Sequence, residues 1–212
     1  CILNKTVILI DGDVLAYRAA AIAEKREVEV LHKASGKTKM FKTRTEFKEF
    51  LKEKEKEYIA EDWEFKDIQT PLDPAVAYSV MARQIERFKS ELFADACEVF
   101  ISGKNNFRDS LKLPKKYKGN RDEMIRPVHL RNCKKFLVDN YDAWISNGFE
   151  SDDYLVIRGY HYLNLGWNPI MITVDKDANA YTGLSVYDFT QDVPEIKLLP
   201  SFGSLWDTGK KI

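Results

Sequence analysis

The sequence predicts an α/β fold with a mostly parallel central sheet. Residues 7–10, 98–102 and 170–174 are short apolar runs of the kind that form strands buried on both faces. Stretches with helical periodicity separate them, and alternation of buried strands with helices is typical of parallel sheets. With 212 residues, 44% of them hydrophobic, the chain is long enough for one such domain with its own core.

The overall composition excludes several functional classes. The formal net charge is +0, so binding of a polyanion would depend on local patches and not on total charge. Cys1, Cys97 and Cys133 are odd in number and lack C-x-x-C spacing, which argues against a disulfide framework or a zinc knuckle. The longest apolar run, residues 6–10, is too short for a membrane span or a signal-peptide core. We therefore expect a cytoplasmic protein with no membrane partner.

The first predicted strand ends in two acidic residues. Residues 7–10 are followed by Asp11-Gly12-Asp13 and then by a helix-forming stretch, residues 14–21. This order places Asp11 at the carboxyl end of a strand, where ligands bind in open α/β sheets. An ordinary turn is the alternative, because Asp-Gly is common turn chemistry.

A charged segment follows, which we interpret as an insert over residues 28–60. Two β-rich stretches flank a glycine-containing turn at residues 34–37, which predicts a hairpin. Thr43 and Glu46 then have the spacing of a capping box, which predicts the start of a charged helix that continues to about Ala60. We interpret its charges as a solvated face, with a contact to DNA or to a protein partner as the alternative. An amphipathic helix over residues 75–93 then contributes an apolar stripe to the core.

Basic residues accumulate after the second buried strand. Residues 104–135 contain eleven Lys and Arg residues against three Asp and Glu, and Phe107, Tyr117 and His129 lie among them. Basic residues with interleaved aromatic rings are what phosphate contact and base stacking require. A solvated lysine-rich loop is the alternative interpretation.

A second group of acids lies at a predicted junction between a strand and a helix. A short strand over residues 143–146 and Gly148 precede Glu150, Asp152 and Asp153, and a helix is predicted over residues 152–165. A purely structural role is the alternative, because helix N-termini favour acidic residues. The strand over residues 170–174 ends in a further acidic pair, and residues 185–189 are the last predicted strand.

A parallel sheet would bring all these acids to one edge. Neighbouring carboxylates repel by roughly 4 kcal/mol per close pair at an effective dielectric constant of about 20, so they need a cation or a proton. Ligation by oxygen alone selects Mg²⁺ or Mn²⁺ over zinc, and such a site beside a basic segment suits metal-assisted phosphodiester hydrolysis. The candidate metal ligands are Asp11, Asp13, Glu150, Asp152, Asp153, Asp175 and Asp177.

Four short motifs occur in an order and spacing that carry a family resemblance. They are Asp11-Gly12-Asp13, Tyr117-Lys118-Gly119-Asn120-Arg121, Glu150-Ser151-Asp152-Asp153 and Asp175-Lys176-Asp177. In this arrangement the chain resembles the phage-type flap endonuclease and 5′-to-3′ exonuclease family, with the exonucleases of T-odd bacteriophages as the closest match. The resemblance covers residues 7 to about 189, without the insert. Each motif alone is weak, whereas four in register are specific.

The resemblance implies a PIN-like three-layer α/β nuclease fold, two Mg²⁺ or Mn²⁺ ions, and cleavage of DNA at or near 5′ ends and flaps. The choice between DNA and RNA is left open. Asp11, Glu150 and Asp152 would hold the first metal with Asp153 adjoining, and Asp175 and Asp177 would contribute to the second. Asp13 is less certain, because the first aspartate of that motif is the dependable ligand.

The basic segment has its own counterpart in the family. By resemblance, Lys118 and Arg121 would steady the scissile phosphate and Tyr117 would stack on a base. Residues 104–135 would correspond to the arch through or under which a 5′ single strand passes. Its further contacts to nucleic acid would come from Lys104, Arg108, Lys115, Lys116 and Arg126.

Two departures from the family pattern affect these expectations. Ser102 stands where the family carries an Asp, so the first metal site is expected to be weaker or completed by water. The family also continues into a helical DNA-binding domain, whereas here residues 1–193 would form the nuclease domain and residues 194–212 a tail leading to that domain. Either the sequence is a fragment of a longer enzyme that contains this domain, or a split gene supplies the domain as a separate C-terminal polypeptide.

Three hypotheses remain open at this point. The chain is a nuclease complete in itself, a nuclease half that needs a C-terminal partner, or a non-catalytic nucleic-acid-binding or interaction module with the same fold. A phage-encoded protein of any of these kinds would act in the cytoplasm of the bacterial host.

Overall fold

The computed structural model describes residues 4–103, 125–175, 178, 181–191 and 195–198. These residues form one six-stranded sheet with helices on both faces and a separate three-stranded sheet. The strands are β1 (Thr6–Asp11), β2 (Glu24–His32), β3 (Lys37–Phe41), β4 (Trp63–Pro71), β5 (Ala96–Ile101), β6 (Trp144–Ile145), β7 (Asn168–Ile172), β8 (Ser185–Tyr187) and β9 (Ile196–Leu198). The helices are α1 (Gly12–Ile22), α2 (Arg44–Glu53), α3 (Pro74–Glu91), α4 (Leu130–Tyr141) and α5 (Ser151–Asn164).

The larger sheet has the strand order β6-β5-β1-β7-β8-β9. Its first five strands are parallel, and β9 is antiparallel to β8. From β1 the chain adds β5 and β6 on one side and then returns to add β7 and β8 on the other. The carboxyl ends of β1 and β7 therefore flank the point where the strand order reverses, which is the usual ligand-binding crevice of open α/β sheets. This topology confirms the predicted mostly parallel α/β sheet.

Side chains on the two faces of this sheet enter different cores. On β1, Ile8 and Ile10 belong to the core that includes buried residues of α1, α3 and α4. Val7 and Leu9 point to the opposite face, whose core includes Leu155 of α5. All four β1 side chains are fully buried, as expected of a central strand covered on both faces. The predicted three-layer arrangement is therefore confirmed.

The smaller sheet has the order β3-β2-β4, with antiparallel pairing throughout. The hairpin prediction is confirmed by β2 and β3, and α2 starts at the predicted cap, where Thr43 Oγ1 accepts the N–H of Glu46 at 3.0 Å. The predicted helix end at about Ala60 is wrong, because α2 ends at Glu53. Residues 54–57 supply no apolar side chain to bury, and Glu55 adopts a positive φ of 54°.

Three elements were not predicted from the sequence. β4 pairs along all of β2, so the second sheet extends from residue 24 to residue 71 and is longer than the 28–60 insert. β9 adds an antiparallel edge to the larger sheet. α4 contains residues 130–135 of the predicted arch-like segment, and its Cys133 and Leu137 are fully buried. The end of that segment is therefore a packed helix, while residues 104–124 lie outside the described part of the chain.

Within the part of the chain that the structure describes, none of the helices combines the length and the apolar composition that a bilayer crossing requires.

An ion pair joins the sheet to α5. The guanidinium of Arg158 donates to both carboxylate oxygens of Glu98, at 2.9 and 2.6 Å, and the Tyr162 hydroxyl donates to the same carboxylate at 2.7 Å. Burial by itself would raise the pKa of Glu98, but the hydrogen bonds from Arg158 and Tyr162 outweigh it and lower that pKa below 4.5. The stability contributed by ionised Glu98 is therefore present above about pH 4.5 and lost as the pH falls through the lower pKa of the folded state.

We predict that Glu98→Gln lowers the free energy of unfolding by about 1–3 kcal/mol at neutral pH, because Arg158 loses its charged partner. The loss should shrink in acid, where Glu98 of the wild type becomes protonated. Urea unfolding followed by circular dichroism measures both effects. Glu86→Gln is the control, because Glu86 forms an exposed pair with Lys89 on α3. Equal stability of Glu98→Gln and the wild type at neutral pH would contradict the prediction.

Candidate functional site

Asp11 lies at the centre of the acidic edge. It is the last residue of β1 and the N-cap of α1, and its Oδ1 accepts the backbone N–H groups of Asp13 at 3.1 Å and Val14 at 3.3 Å. The Thr173 hydroxyl donates to Asp11 Oδ2 at 3.3 Å, and the Ser151 hydroxyl lies 3.5 Å from Oδ1. The carboxyl group is thus held by β1, α1, α5 and the segment after β7, and the residue is only 6% exposed.

The protonation of Asp11 is strongly perturbed. Burial has the largest effect, followed by the neighbouring charge of Asp13, and Asp152 adds a smaller one; all three raise the pKa. The backbone N–H groups of Val14 and Asp13 act in the opposite direction, and the net result is a pKa of about 7 against an ordinary 3.8. An added cation would favour the ionised form of this buried carboxyl group.

Asp13 already has a cation beside it. One oxygen, Oδ2, accepts the N–H of Ser102 at 3.0 Å and the hydroxyl of Ser151 at 3.2 Å. The other, Oδ1, lies 2.7 Å from Lys134 Nζ of α4, although among the described residues it has no partner with hydrogen-bond alignment. We therefore treat this contact as an ion pair without a hydrogen bond. It places Lys134, which the sequence suggested for the nucleic-acid-binding segment, at the acidic edge.

Three serines connect the carboxyl ends of β5 and β6 to α5. Ser102 Oγ accepts the N–H of Ser151 at 3.0 Å and lies 3.3 Å from its hydroxyl oxygen. Ser146 Oγ accepts the N–H of Gly103 at 3.1 Å. Ser102, expected to be a deficient ligand, therefore belongs to the hydrogen-bond network that holds the N-terminus of α5 against Asp13.

Two glycines allow these elements to approach one another. A Cβ at Gly12 would lie 2.7 Å from the carbonyl oxygen of Phe100 and 2.8 Å from a methyl group of Ile101. A Cβ at Gly103 would lie 2.1 Å from the carbonyl oxygen of Ser146. Both positions therefore require glycine. Without a Cβ, the start of α1 can approach β5, and the turn after β5 can approach the end of β6.

The acids at the start of α5 divide into two roles. Asp153 accepts the N–H of Glu150 at 3.0 Å within a capping box, which is the structural role named as the alternative above. Asp152 is half-buried, and its pKa is raised by burial first, then by Glu150 and Asp153, with a smaller effect from Asp175. The charge of Asp152 therefore contributes to the raised pKa of Asp11, and the charge of Asp175 in turn contributes to the raised pKa of Asp152.

Asp175 continues the edge beyond β7. Its N–H donates to Thr173 Oγ1 at 3.2 Å, so the same hydroxyl contacts both Asp11 and the Asp175 backbone.

Of the predicted nucleic-acid-binding residues, the structure describes Arg126, which is exposed and whose carbonyl oxygen accepts a hydrogen bond from Gln69 Nε2 at 2.9 Å. The remaining predicted site residues lie outside the described ranges: Lys104, Arg108, Lys115, Lys116, Tyr117, Lys118, Arg121 and Asp177.

The donor chemistry of this edge fits a hard divalent cation, since among the described residues the groups that contact Asp11 and Asp13 include hydroxyl oxygens of Ser151 and Thr173 and no histidine or cysteine. Within the described ranges, however, no three Asp, Glu, His or Cys residues are grouped closely enough to hold a metal ion. The carboxyl groups that would supply ligands instead affect one another's pKa, and the Ser151 hydroxyl contacts both Asp11 and Asp13. Ser151 and Thr173 were not among the sequence candidates, although Ser151 lies between two predicted ligands and Thr173 lies two residues before the last acidic motif. Lys134 was expected in the basic segment and not at the acidic edge.

Several solved structures share this fold. The bacteriophage T5 D15 flap endonuclease in a complex with DNA and metal ions matches with a TM-score of 0.54 and 16% identity, over 88% of this chain and 56% of that chain. The T5 5′-exonuclease with bound zinc matches with a TM-score of 0.52 and 17% identity, over 90% and 58%. The T5 D15 protein co-crystallised with metal ions matches with a TM-score of 0.50 and 14% identity, over 88% and 56%.

These matches confirm the predicted phage-type 5′ nuclease fold. At identities of 14–17% they establish the fold alone, and the chain spans a little over half the length of the proteins it matches. No protein-family model matches the sequence, and no curated protein is significantly similar to it.

The raised pKa of Asp11 leads to a prediction about stability. Its folded pKa of about 7 exceeds its ordinary 3.8, so its contribution is fully present below about pH 4 and lost as the pH rises through 7. Asp11→Asn should therefore stabilise the metal-free fold at pH 8, by on the order of 2 kcal/mol, because it removes a buried negative charge and keeps a good N-cap. Near pH 4 the two proteins should be equally stable.

Urea unfolding in EDTA, compared at acidic and alkaline pH, measures this difference. Asp73→Asn is the matched control, because Asp73 caps α3 in the same way, accepting the Ala75 N–H at 2.8 Å, but is exposed. Its effect should not vary with pH in this way. A wild type that is the more stable protein at pH 8 would contradict the account of Asp11.

Proposed function

We propose that this chain is a metal-dependent 5′ nuclease that hydrolyses phosphodiester bonds of DNA at 5′ ends or flaps in phage replication. The observation that carries the proposal is the buried carboxyl group of Asp11 at the strand-order reversal, electrostatically linked to Asp152. The fold shared with T5 nucleases supports it, and one of those structures contains both DNA and metal ions. RNA in hybrid substrates is a further candidate substrate of the same site.

In this proposal the edge binds Mg²⁺ or Mn²⁺. Asp11, Glu150 and Asp152 would hold one ion, and Asp175 and Asp177 would contribute to a second. When bound, such ions activate the attacking water and stabilise the leaving oxygen. Asp153 would act through the capping box, by fixing the position of the neighbouring Asp152 at the start of α5.

The chain's own residues orient the ligands and balance their charge. Thr173 and Ser151 hold the carboxyl group of Asp11 from two sides. Lys134 compensates the charge of Asp13, which leaves less repulsion against an incoming phosphate. Lys118 and Arg121 would steady the scissile phosphate and Tyr117 would stack on a base. Further contacts to the DNA strand would come from Lys104, Arg108, Lys115, Lys116 and Arg126.

A non-catalytic nucleic-acid-binding module is the second candidate function. Two observations favour it, namely that the described acids form no close group of three and that Lys134 lies where a cation could otherwise bind Asp13. A nuclease whose second metal site is completed by a separate C-terminal polypeptide lies between the two. The chain alone should therefore be assayed for cleavage and for binding.

We predict that the chain with Mg²⁺ cleaves a 5′-flap DNA labelled at the flap end, and that Asp152→Asn lowers the rate by about 100-fold or more, because a ligand is lost. Gel analysis of labelled products under single-turnover conditions measures the rate. Asp139→Asn is the matched control, since Asp139 is an exposed acid on α4 that pairs with Lys135 and is not among the proposed ligands. That variant should cleave at the wild-type rate.

Cleavage that survives Asp152→Asn would contradict the site assignment. DNA binding without any cleavage by the chain, in Mg²⁺ and in Mn²⁺, would contradict self-sufficient catalysis and favour the binding module or the partner-dependent nuclease. The same assay with an RNA flap compares the two substrates.

A further inference from the structure

The second sheet carries a cavity that the acidic site does not use. Its volume is about 560 Å³, and it lies between the β2–β3 hairpin, α2 and the segment after α2. The residues that matter for its chemistry are Lys37, Lys39, Phe41, Phe50, Lys56 and Trp63. This volume is within the range of about 300–1,000 Å³ that is usual for small-ligand sites.

Aromatic rings form one wall of this cavity and are held in place by the core below them. Trp63 contacts Phe47 edge-on, with 4.8 Å between ring centroids, and Phe47 is almost fully buried. The ring of His32 lies 4.7 Å from that of Trp63. Trp63 is itself only half-buried, so part of its ring is available to a ligand. Pre-positioned rings of this kind can stack with a planar group at little entropic cost.

Lysine side chains form the other wall. The register of the hairpin sets Lys37 opposite His32 and Lys39 opposite Val30, so both lie on the face covered by α2. Lys39 Nζ is 3.9 Å from the ring centroid of Phe50, a cation–π distance. Among the described residues, no carboxylate forms an ion pair with Lys37, Lys39 or Lys56. Glu57 and Asp62 also line the cavity, so three lysines face two acids and the balance is cationic.

One end of this sheet is hydrogen-bonded to residues 125–128, which belong to the basic stretch of residues 104–135. Val128 N donates to Glu24 Oε2 at 2.8 Å, and Arg26 Nη2 donates to the carbonyl oxygen of Ile125 at 3.1 Å. Gln69 of β4 donates to the carbonyl oxygen of Arg126 at 2.9 Å. The second sheet is thus anchored where residues 104–124, rich in Lys and Arg, rejoin the described fold.

From these observations we propose that the cavity of the second sheet binds an unpaired nucleic-acid strand, with a base stacked on Trp63 and phosphates bound by Lys37, Lys39 and Lys56. Exposed aromatic rings beside cations are the means by which proteins bind single strands without reading sequence. This inference deepens the proposed function and rests on it for the identity of the substrate. The cavity is a binding site separate from the acids that would perform cleavage.

The test measures binding of the full chain to a short labelled oligothymidylate by fluorescence anisotropy, in EDTA so that no cleavage occurs. The double variant Lys37→Glu/Lys39→Glu should bind about tenfold more weakly, with a shallower dependence on salt, since two phosphate contacts are lost. The matched control is Lys52→Glu/Lys66→Glu, which changes the net charge by the same amount at exposed positions that do not line the cavity. Equal weakening by both double variants would overturn the proposal.

A second probe tests the aromatic wall without altering the protein. An abasic oligonucleotide of the same length carries the phosphates and no rings, so the wild type should bind it about fivefold or more weakly than oligothymidylate. Equal binding of the two probes would overturn the stacking part of the proposal. Parallel flap-cleavage assays separate this proposal from the nuclease. Normal cleavage with unchanged strand binding in the lysine variant overturns the cavity alone, whereas weakened binding in a chain that never cleaves supports the cavity and contradicts self-sufficient catalysis by the chain.

Discussion

The candidate site is built around the burial of one carboxyl group, that of Asp11, at the point where the strand order of the larger sheet reverses. An ionised carboxylate withdrawn from water is costly unless hydrogen bonds or a cation compensate it. Two backbone N–H groups, the Thr173 hydroxyl and the nearby Ser151 hydroxyl provide the first kind of compensation. Gly12 allows α1 to begin close enough to β5 for this arrangement to form.

Lysine and arginine side chains balance the charge of some acidic residues, whereas other acidic residues remain available to bind a cation. Lys134 lies against Asp13, and Arg158 holds Glu98 in a bidentate pair. Among the described residues, the carboxyl groups whose pKa is clearly raised are instead those of Asp11 and Asp152. Perturbed carboxyl groups at the ligand-binding edge of an α/β sheet are typical of functional sites. The chemistry of the proposed nuclease therefore centres on these two residues.

Much of the fold follows from local patterns in the sequence. The apolar runs around β1, β5 and β7, the helical stripe of α3 and the acids placed after strands were each predicted from periodicity and turn chemistry. α4 was missed because lysines alternate with its buried Cys133 and Leu137, and β4 because Asp67 and Lys66 interrupt its apolar residues. The contacts of Ser151, Thr173 and Lys134 with the acids depend on strand register and helix packing. Such contacts join residues far apart in sequence, so no local pattern reveals them.

The most direct test of the central claim is a calorimetric titration of the chain with Mn²⁺ at alkaline pH, comparing the wild type with Asp11→Asn. The account predicts saturable binding by the wild type and affinity weaker by about tenfold or more in the variant, because a buried ionised ligand is lost. Absence of saturable binding in the wild type, or equal affinity in the two proteins, would contradict the assignment of the acidic edge as a divalent-cation site.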